Sequence, residues 1–450
     1  MTNKKAREIV VDILQKVELE GAYSNIVLKQ TLDHYKGLII KDKGLITEIT
    51  NGTLKYTRKI DYIINQFSNT PTHKMKPVIR YTLRMSVYQI IFLDKIPNSA
   101  VCNEAVEIVK KRKMGRLSGF VNGVLRNIIR HVDTVKYPDS STHPVEYLGT
   151  MYSFPDWMIA LWLENYSYDF VEALCQSMNQ SPDLSIRVNS LLMSKEDLSN
   201  ELQKQGIRVE SGNLAPEALV LHGGVSIASL DSFQKGYFTV QDESSMLVAR
   251  VLDPQQGEII FDACAAPGGK STHIAELMAG EGSVVSADIY QHKLDLINQT
   301  ATRMEHQILK TVLQDATQLN TDYINKFHRV LIDAPCSGLG ILRKKADIRW
   351  RKQWADIKVL TQLQKDIIKT CSQYVKPNGI MVYSTCTISP LENEQMVKWI
   401  TDNLEFDLED MNDYIPPSLH NETTEKGYVQ IFPSTANTDG FFISRFRKRG

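Results

Sequence analysis

The stretch Glu258-Ile259-Ile260-Phe261-Asp262-Ala263-Cys264-Ala265-Ala266-Pro267-Gly268-Gly269-Lys270-Ser271 passes from a short apolar run through a glycine-containing turn into a helical pattern, GKSTHIAELM. An apolar run of this length bounded by turn residues reads as a buried strand, so the stretch is a strand, a turn and a helix start. Outward from it the alternation continues: SVVSADI, then HKLDLINQTATRM, then VLQDA, then RVLIDAP. A long helix is expected around ADIKVLTQLQKDIIKTCSQYV, followed by strands GIMVYST and FFISRFR. Strands alternating with helices call for a mostly parallel sheet with helices on both faces, an α/β domain of Rossmann type.

Such sheets bind ligands beyond the carboxyl ends of their strands, where glycines let a ligand approach the backbone. The turn from Cys264 through Ala265, Ala266, Pro267, Gly268 and Gly269 to Lys270 is therefore a candidate cofactor site, suited to a nucleoside. A phosphate-binding loop would need a glycine where Ala263 stands. The second strand ends at Asp288, about 20 residues past the glycines, where a carboxylate commonly takes ribose hydroxyls. The third ends at Asp315, within reach of an adenine amino group, and the fourth at Asp333. One aspartate after a strand is usually a turn residue or a helix cap. Four at consecutive strand ends, Asp262 included, are hard to assign to capping alone. NAD is the rival cofactor on the glycine turn and the acidic second strand end.

The chain carries 52 Lys+Arg and 52 Asp+Glu, and the balance is uneven. Residues 1–135 hold 23 cations against 12 carboxylates, leaving 29 against 40 for the rest. A basic front suggests a polyanion partner, because Lys and Arg on phosphates supply most sequence-independent nucleic-acid affinity. This part reads as helical, with apolar residues at three- and four-residue spacing, as in Ile9, Ile13, Leu14 and Val17. Pro97-Asn98-Ser99 opens a helix that ends in Lys110, Lys111, Arg112 and Lys113, where the helix dipole favours cations. Arg126 and Arg130 extend the charge on the next helix. The segments TEITNGTLKYTRKIDYII, LRMSVYQIIFLDKIP, NEAVEIVKK and FVNGVLRNIIR resemble the NusB-like all-helical RNA-binding domain. The expected organisation is that domain over 1–135, a linker over 136–150 (its core KYPDSSTHP), a small α+β domain over 151–237 and the Rossmann-type domain over 238–450. Short strands are expected at LSIRVNS and IRVES around a helix at KEDLSNELQKQ.

At 450 residues, two or three domains are expected. No apolar run approaches a membrane span, and MTNKKAREIVVDILQ lacks a signal-peptide core, so the expected location is the cytosol, without a membrane partner. The six cysteines are scattered with no CxxC pair, which argues against a disulfide framework or a metal site. Cys102, Cys175 and Cys371 fall in helical contexts and read as packing residues. Cys264 sits inside the cofactor turn, and Cys336 in DAPCSGLG and Cys386 in YSTCT lie at strand ends.

The stretches TVQDESSMLVA, DACAAPGGKSTHIAELM, LIDAPCSGLGILRKKADIRW and YSTCTISPLENE closely resemble RNA 5-methylcytosine methyltransferases of the NOL1/NOP2/Sun type, over most of residues 150 to 450. The resemblance implies S-adenosylmethionine as cofactor, held by Cys264 to Lys270 with Asp288, Asp315 and Asp333. It implies Cys386 as covalent nucleophile, Cys336 as the residue assisting product release, and Asp333 beside the cytosine; spacing alone does not distinguish the two cysteines. Carbon 5 of cytosine is a weak nucleophile, and a thiolate added at carbon 6 raises its electron density. The target base is expected to be single-stranded, looped or flipped out. With the helical domain in front, the implied substrate is a cytosine of 16S ribosomal RNA, and a monomer is the default state. Lys344, Lys345, Arg349 and Arg351, beside Trp350 and Trp354, are candidate RNA contacts, with core packing the alternative for the tryptophans. The other functional readings are a transfer-RNA cytosine methyltransferase and an RNA-binding factor with a decayed catalytic domain. The intact Asp333, Cys336 and Cys386 count against decay. Asp333-Ala334-Pro335-Cys336 does not match the Asn/Asp-Pro-Pro-Tyr of amino-group methyltransferases.

Overall fold

The structure, a computed structural model, describes residues 4–35 and 37–450. These residues form two compact units: one reaches to Asn179 and takes in Lys344–Arg351, and the other comprises Gln180–Arg343 and Lys352–Gly450.

The first unit is helical, with no strand among its described residues. Helices Ala6–Leu19, Ile40–Lys55, Thr57–Phe67, Pro77–Phe92, Asn98–Lys111 and Ser118–His131 turn their apolar stripes onto one core, in which Ile9, Ile13, Ile49, Ile63, Leu83, Val109 and Leu125 are fully enclosed. The helix after Pro97 begins where the turn signal places it, although no side chain caps it. Residues 135–143 carry no helix, and Pro144, in the first turn, opens the next one. Three helices follow, Pro144–Tyr152, Asp156–Leu163 and Tyr168–Asn179, before the first strand begins at Leu184, in the expected segment LSIRVNS.

Segment 344–351 completes this unit. Arg349 is fully buried, 4.1 Å from the centroid of the Phe154 ring, and its Nη1 donates to the carbonyls of Lys55 at 3.3 Å and Ser153 at 3.1 Å and to Asn179 Oδ1 at 3.1 Å. Trp350 Nε1 donates to the Leu54 carbonyl at 2.7 Å. Arg351 donates to the carbonyls of Gly21 and Ala22, and Asp347 Oδ1 accepts from the Ser24 hydroxyl at 2.7 Å. The expectation that Arg349, Trp350 and Arg351 face RNA is corrected: each donates to backbone carbonyls of the helical unit, Arg349 is fully buried, and burial pushes its guanidinium down to about 10. Lys344 and Lys345 are exposed.

The second unit holds two sheets. Strands β1 (Leu184–Val188), β2 (Arg208–Ser211), β3 (Ala218–His222) and β4 (Phe238–Val240) form an antiparallel sheet in the order β2-β3-β1-β4, with helix Lys195–Lys204 between β1 and β2. The larger sheet contains β5 (Ile259–Asp262), β6 (Ser283–Asp288), β7 (Leu309–Leu313), β8 (Phe327–Asp333), β9 (Val375–Thr385), β10 (Phe406–Leu408), β11 (Tyr428–Ile431) and β12 (Phe441–Lys448). Its order is β10-β12-β9-β8-β5-β6-β7, with β11 also paired to β12. Strands β5 to β9 run parallel and β12 antiparallel to β9. The central strands are apolar without alternation because both faces are covered: Val330 and Ile332 enter a core with Ile367, Cys371 and Met396, while Leu331 enters one with Leu247, Val251 and Ile274. Chain order reverses between β5 and β8, which puts the switch point beside Asp262 and Asp333.

Candidate active site

The first turn depends on glycine. Gly268 has φ +100°, and a side chain there would press on Ile297, so glycine suits the position on both counts. Gly269 then opens helix Gly269–Leu277, whose first amides point towards the turn. Cys264 is packed with the core beneath the sheet edge, and burial raises its thiol well above the ordinary range, as a packing role requires.

Asp262 is fully buried. Its Oδ2 accepts from the Ser271 hydroxyl at 2.6 Å, which accepts from Ser286 at 2.9 Å, whereas its Oδ1 has no hydrogen-bond partner. Desolvation, with Asp333 nearby, pushes the carboxyl up to about 7 from a usual 3.8. In the folded chain the proton stays on up to about pH 7, while the unfolded chain loses it near pH 4. This group's contribution to stability is therefore full below about pH 4 and lost as the pH rises through 7. Melting temperatures between pH 4 and 8 are expected to show less of this decline in Asp262→Asn, and superimposable pH profiles would contradict the assignment.

Asp288 and Asp315 each spend one oxygen locally. Asp288 Oδ1 accepts the Tyr290 amide at 3.1 Å, with Lys293 Nζ 3.6 Å away, and Asp315 Oδ1 accepts the amide and hydroxyl of Thr317 at 2.9 and 2.7 Å. The turn-residue reading is thus part of the explanation of both. Asp333 differs, because its partners come from elsewhere: Lys270 Nζ at 2.7 Å on Oδ2 and the Ser384 hydroxyl at 2.8 Å on Oδ1. One carboxylate so ties the glycine turn to the ends of β8 and β9.

Just beyond those two ends lie Cys336 and Cys386, half-buried, with their sulfurs 3.3 Å apart. Adjacent parallel strands, in register at Asp333 and Ser384, bring together residues 50 positions apart in sequence. Cys336 is held well above the ordinary thiol range, first by its hydrogen bond with Cys386 and then by burial. The loop after it folds back so that the Gly340 amide donates to the Cys386 carbonyl at 3.0 Å; a side chain at Gly340 would strike the Gly440 backbone.

Sequence reasoning missed what holds this loop. Glu392 is fully buried and accepts from the Ser337 amide at 2.8 Å, the Ser337 hydroxyl at 2.6 Å and Gln364 Nε2 at 3.1 Å, while Gln364 also donates to the Pro335 carbonyl at 3.0 Å. Burial raises its carboxyl against these lowering bonds. Glu392 lies in the quoted motif PLENE, but nothing in its spacing shows that it reaches back to residue 337. On the helical unit, Lys110, Lys111 and Arg112 pair with Glu107, Glu8 and Asp12, while Lys113, Arg116, Arg126 and Arg130 are exposed. Among the described residues no cluster of three or more His, Cys, Asp or Glu could hold a metal ion, and no helix is long and apolar enough to cross a membrane.

A doubly wound sheet with an antiparallel strand beside its last parallel one, a glycine turn after its first strand and acidic strand ends defines a Rossmann-type methyltransferase domain, the expected fold class. Comparison with known proteins agrees along the chain. Residues 249–447 match the family model described as 16S rRNA methyltransferase RsmB/F, residues 4–130 the NusB family, and residues 154–228 an RsmF/B-like ferredoxin-like domain. A Bacillus subtilis protein named probable ribosomal RNA small subunit methyltransferase B is 39% identical, covering 100% of both chains. Its Synechocystis namesake is 34% identical over 98% of this chain and 99% of its own. The solved structure of PH0851 superposes with a TM-score of 0.82 at 25% identity, covering 99% of each chain. The chain belongs to the ribosomal RNA small subunit methyltransferase B family.

Proposed function

We propose that the protein transfers a methyl group from S-adenosylmethionine to carbon 5 of one cytosine in 16S ribosomal RNA, through a covalent bond between Cys386 and the base. The observation that carries this reading is the pair of thiols 3.3 Å apart beside Asp333, one strand away from the glycine turn. The names of its relatives support ribosomal RNA as substrate, and the exposed cations of the helical unit offer phosphate contacts.

The residues present fit a nucleoside cofactor with an amino-acid tail. Cys264 to Lys270 form a turn of small residues with two glycines, Asp288 suits a ribose, Asp315 an adenine amino group, and the partnerless Asp262 Oδ1 is a buried polar atom beside them. When bound, S-adenosylmethionine supplies an electrophilic methyl group. The chain's own residues supply the rest. Once its proton has passed to a base, the Cys386 sulfur, 3.3 Å from Cys336, adds as the thiolate to carbon 6, making carbon 5 electron-rich. Asp333, fixed by Lys270 and Ser384, is placed to hydrogen-bond the cytosine ring nitrogen or amino group. Loss of the carbon-5 proton to a base re-forms the ring double bond and expels the Cys386 sulfur, with Cys336 assisting release. The protein acts in the cytosol as a monomer, on a base that is unstacked or looped.

The test is transfer of a labelled methyl group to small-subunit ribosomal RNA made without modifications, with transfer RNA alongside and nucleosides identified after digestion. The expected product is 5-methylcytidine at one position of the ribosomal RNA. Label in transfer RNA alone, in another nucleoside, or in no RNA overturns the reading.

A further inference from the structure

Arg187 lies on β1 of the small sheet, in the stretch LSIRVNS, and is wholly buried. Its guanidinium uses all three nitrogens. Nε and Nη2 grip Glu276 at 2.9 and 2.8 Å, Nη2 also reaches Thr272 Oγ1 at 2.9 Å, and Nη1 donates to the Gly269 carbonyl at 2.6 Å and to Gln241 Oε1. Three of these four partners, residues 269, 272 and 276, lie along one face of helix Gly269–Leu277, and the first belongs to the glycine turn. Two residues on, immediately past the end of β1, Asn189 Nδ2 donates to the carbonyls of Gly236 and Met304, the latter immediately after helix Gln291–Arg303. That helix carries Ile297, the residue against Gly268. One strand of the small sheet and the residue that follows it thus grip both helices that border the turn.

A buried ion pair is a poor source of net stability, since desolvation consumes most of its Coulomb energy. What a bidentate, fully hydrogen-bonded arginine adds is directional: it admits one rotation and one axial position of the helix it holds. Apolar contacts between a sheet and a helix would tolerate sliding of an ångström or so. We infer that Arg187 is a positioning residue for the cofactor turn, so that the small sheet, although remote from the thiols in sequence, sets how tightly the cofactor is held. This rests on the methyltransferase reading above.

The test compares Arg187→Met and Arg187→Lys with Arg329→Met, which breaks a part-buried pair elsewhere, that of Arg329 with Glu258 at 2.6 Å. Binding of S-adenosylhomocysteine is measured by calorimetry, KM for S-adenosylmethionine against kcat at saturation, and amide exchange over residues 264–277 without any cofactor. Arg187→Met is expected to weaken S-adenosylhomocysteine binding and raise KM at least about tenfold, leave kcat within about twofold, and speed exchange in the turn. Arg187→Lys recovers part of the affinity through Glu276. Arg329→Met lowers the melting temperature without moving affinity. If Arg187→Met does not fold, the double variant Arg187→Met with Glu276→Leu removes the stranded charge and still lacks the Gly269 contact. Affinity and exchange that follow the melting temperature equally in the Arg187 and Arg329 variants overturn the inference alone. A wild-type chain that binds no S-adenosylhomocysteine overturns the methyltransferase reading and, with it, the claim on cofactor affinity.

Discussion

Replacing Cys386 with alanine is expected to lower kcat for RNA methylation by roughly 10³-fold or more while leaving binding of RNA and of S-adenosylhomocysteine nearly unchanged. On the proposed mechanism this sulfur raises the reactivity of carbon 5, so its loss is felt in the chemical step and not in affinity. Cys336→Ala has a different expected outcome. The bond to carbon 6 still forms, but without the neighbouring thiol 3.3 Å away its breakdown slows, so a protein–RNA adduct accumulates on denaturing gels. Electrophoresis of both variants with unmodified RNA and cofactor separates the roles. An adduct in Cys386→Ala but not in Cys336→Ala would exchange them, and undiminished methylation by Cys386→Ala would remove the covalent step.

The second large effect concerns the fold. Arg349→Ala should destabilise the helical unit by about 3 kcal/mol, because truncation removes the donor to the Lys55 and Ser153 carbonyls and the Asn179 side chain and opens a void over Phe154. In a unit of this size that is a fall of roughly 6–12 °C in the first melting transition. Arg349→Lys keeps the charge but not the fork and should fall in between. A variant that melts with the wild type would mean that the three acceptors find water at little cost.

The parts legible in the sequence are those in which neighbours in space are neighbours in sequence or sit at equivalent strand ends. The glycine turn, Asp262, Asp288 and Asp333 could be placed because a parallel sheet aligns the carboxyl ends of its strands, and the two thiols stand near the ends of β8 and β9 for the same reason. The proposal that Cys386 is the attacking thiol came from resemblance and not from spacing. Segment 344–351 misled because cations beside tryptophan describe an RNA contact and a buried strap equally well. What decides between them is a set of carbonyls at residues 21, 22, 54, 55 and 153, which no local pattern reveals. Arg187 was invisible for a related reason: between Ile186 and Val188 it occupies the polar place of an alternating strand, which normally faces solvent, whereas here all three are buried. The short strands β10 and β11, of three and four residues, carry too little periodicity to be seen.

The strap also bears on how this chain could be taken apart. A protein stopped at Asn179 would retain every helix up to that point and still lack the side chains that fill the space over Phe154 and satisfy the Leu54 carbonyl, because these are supplied from residues 349 and 350. The helical unit is therefore discontinuous along the gene. Splitting, fusing or transplanting it requires carrying the eight-residue insert as a second, separately encoded piece.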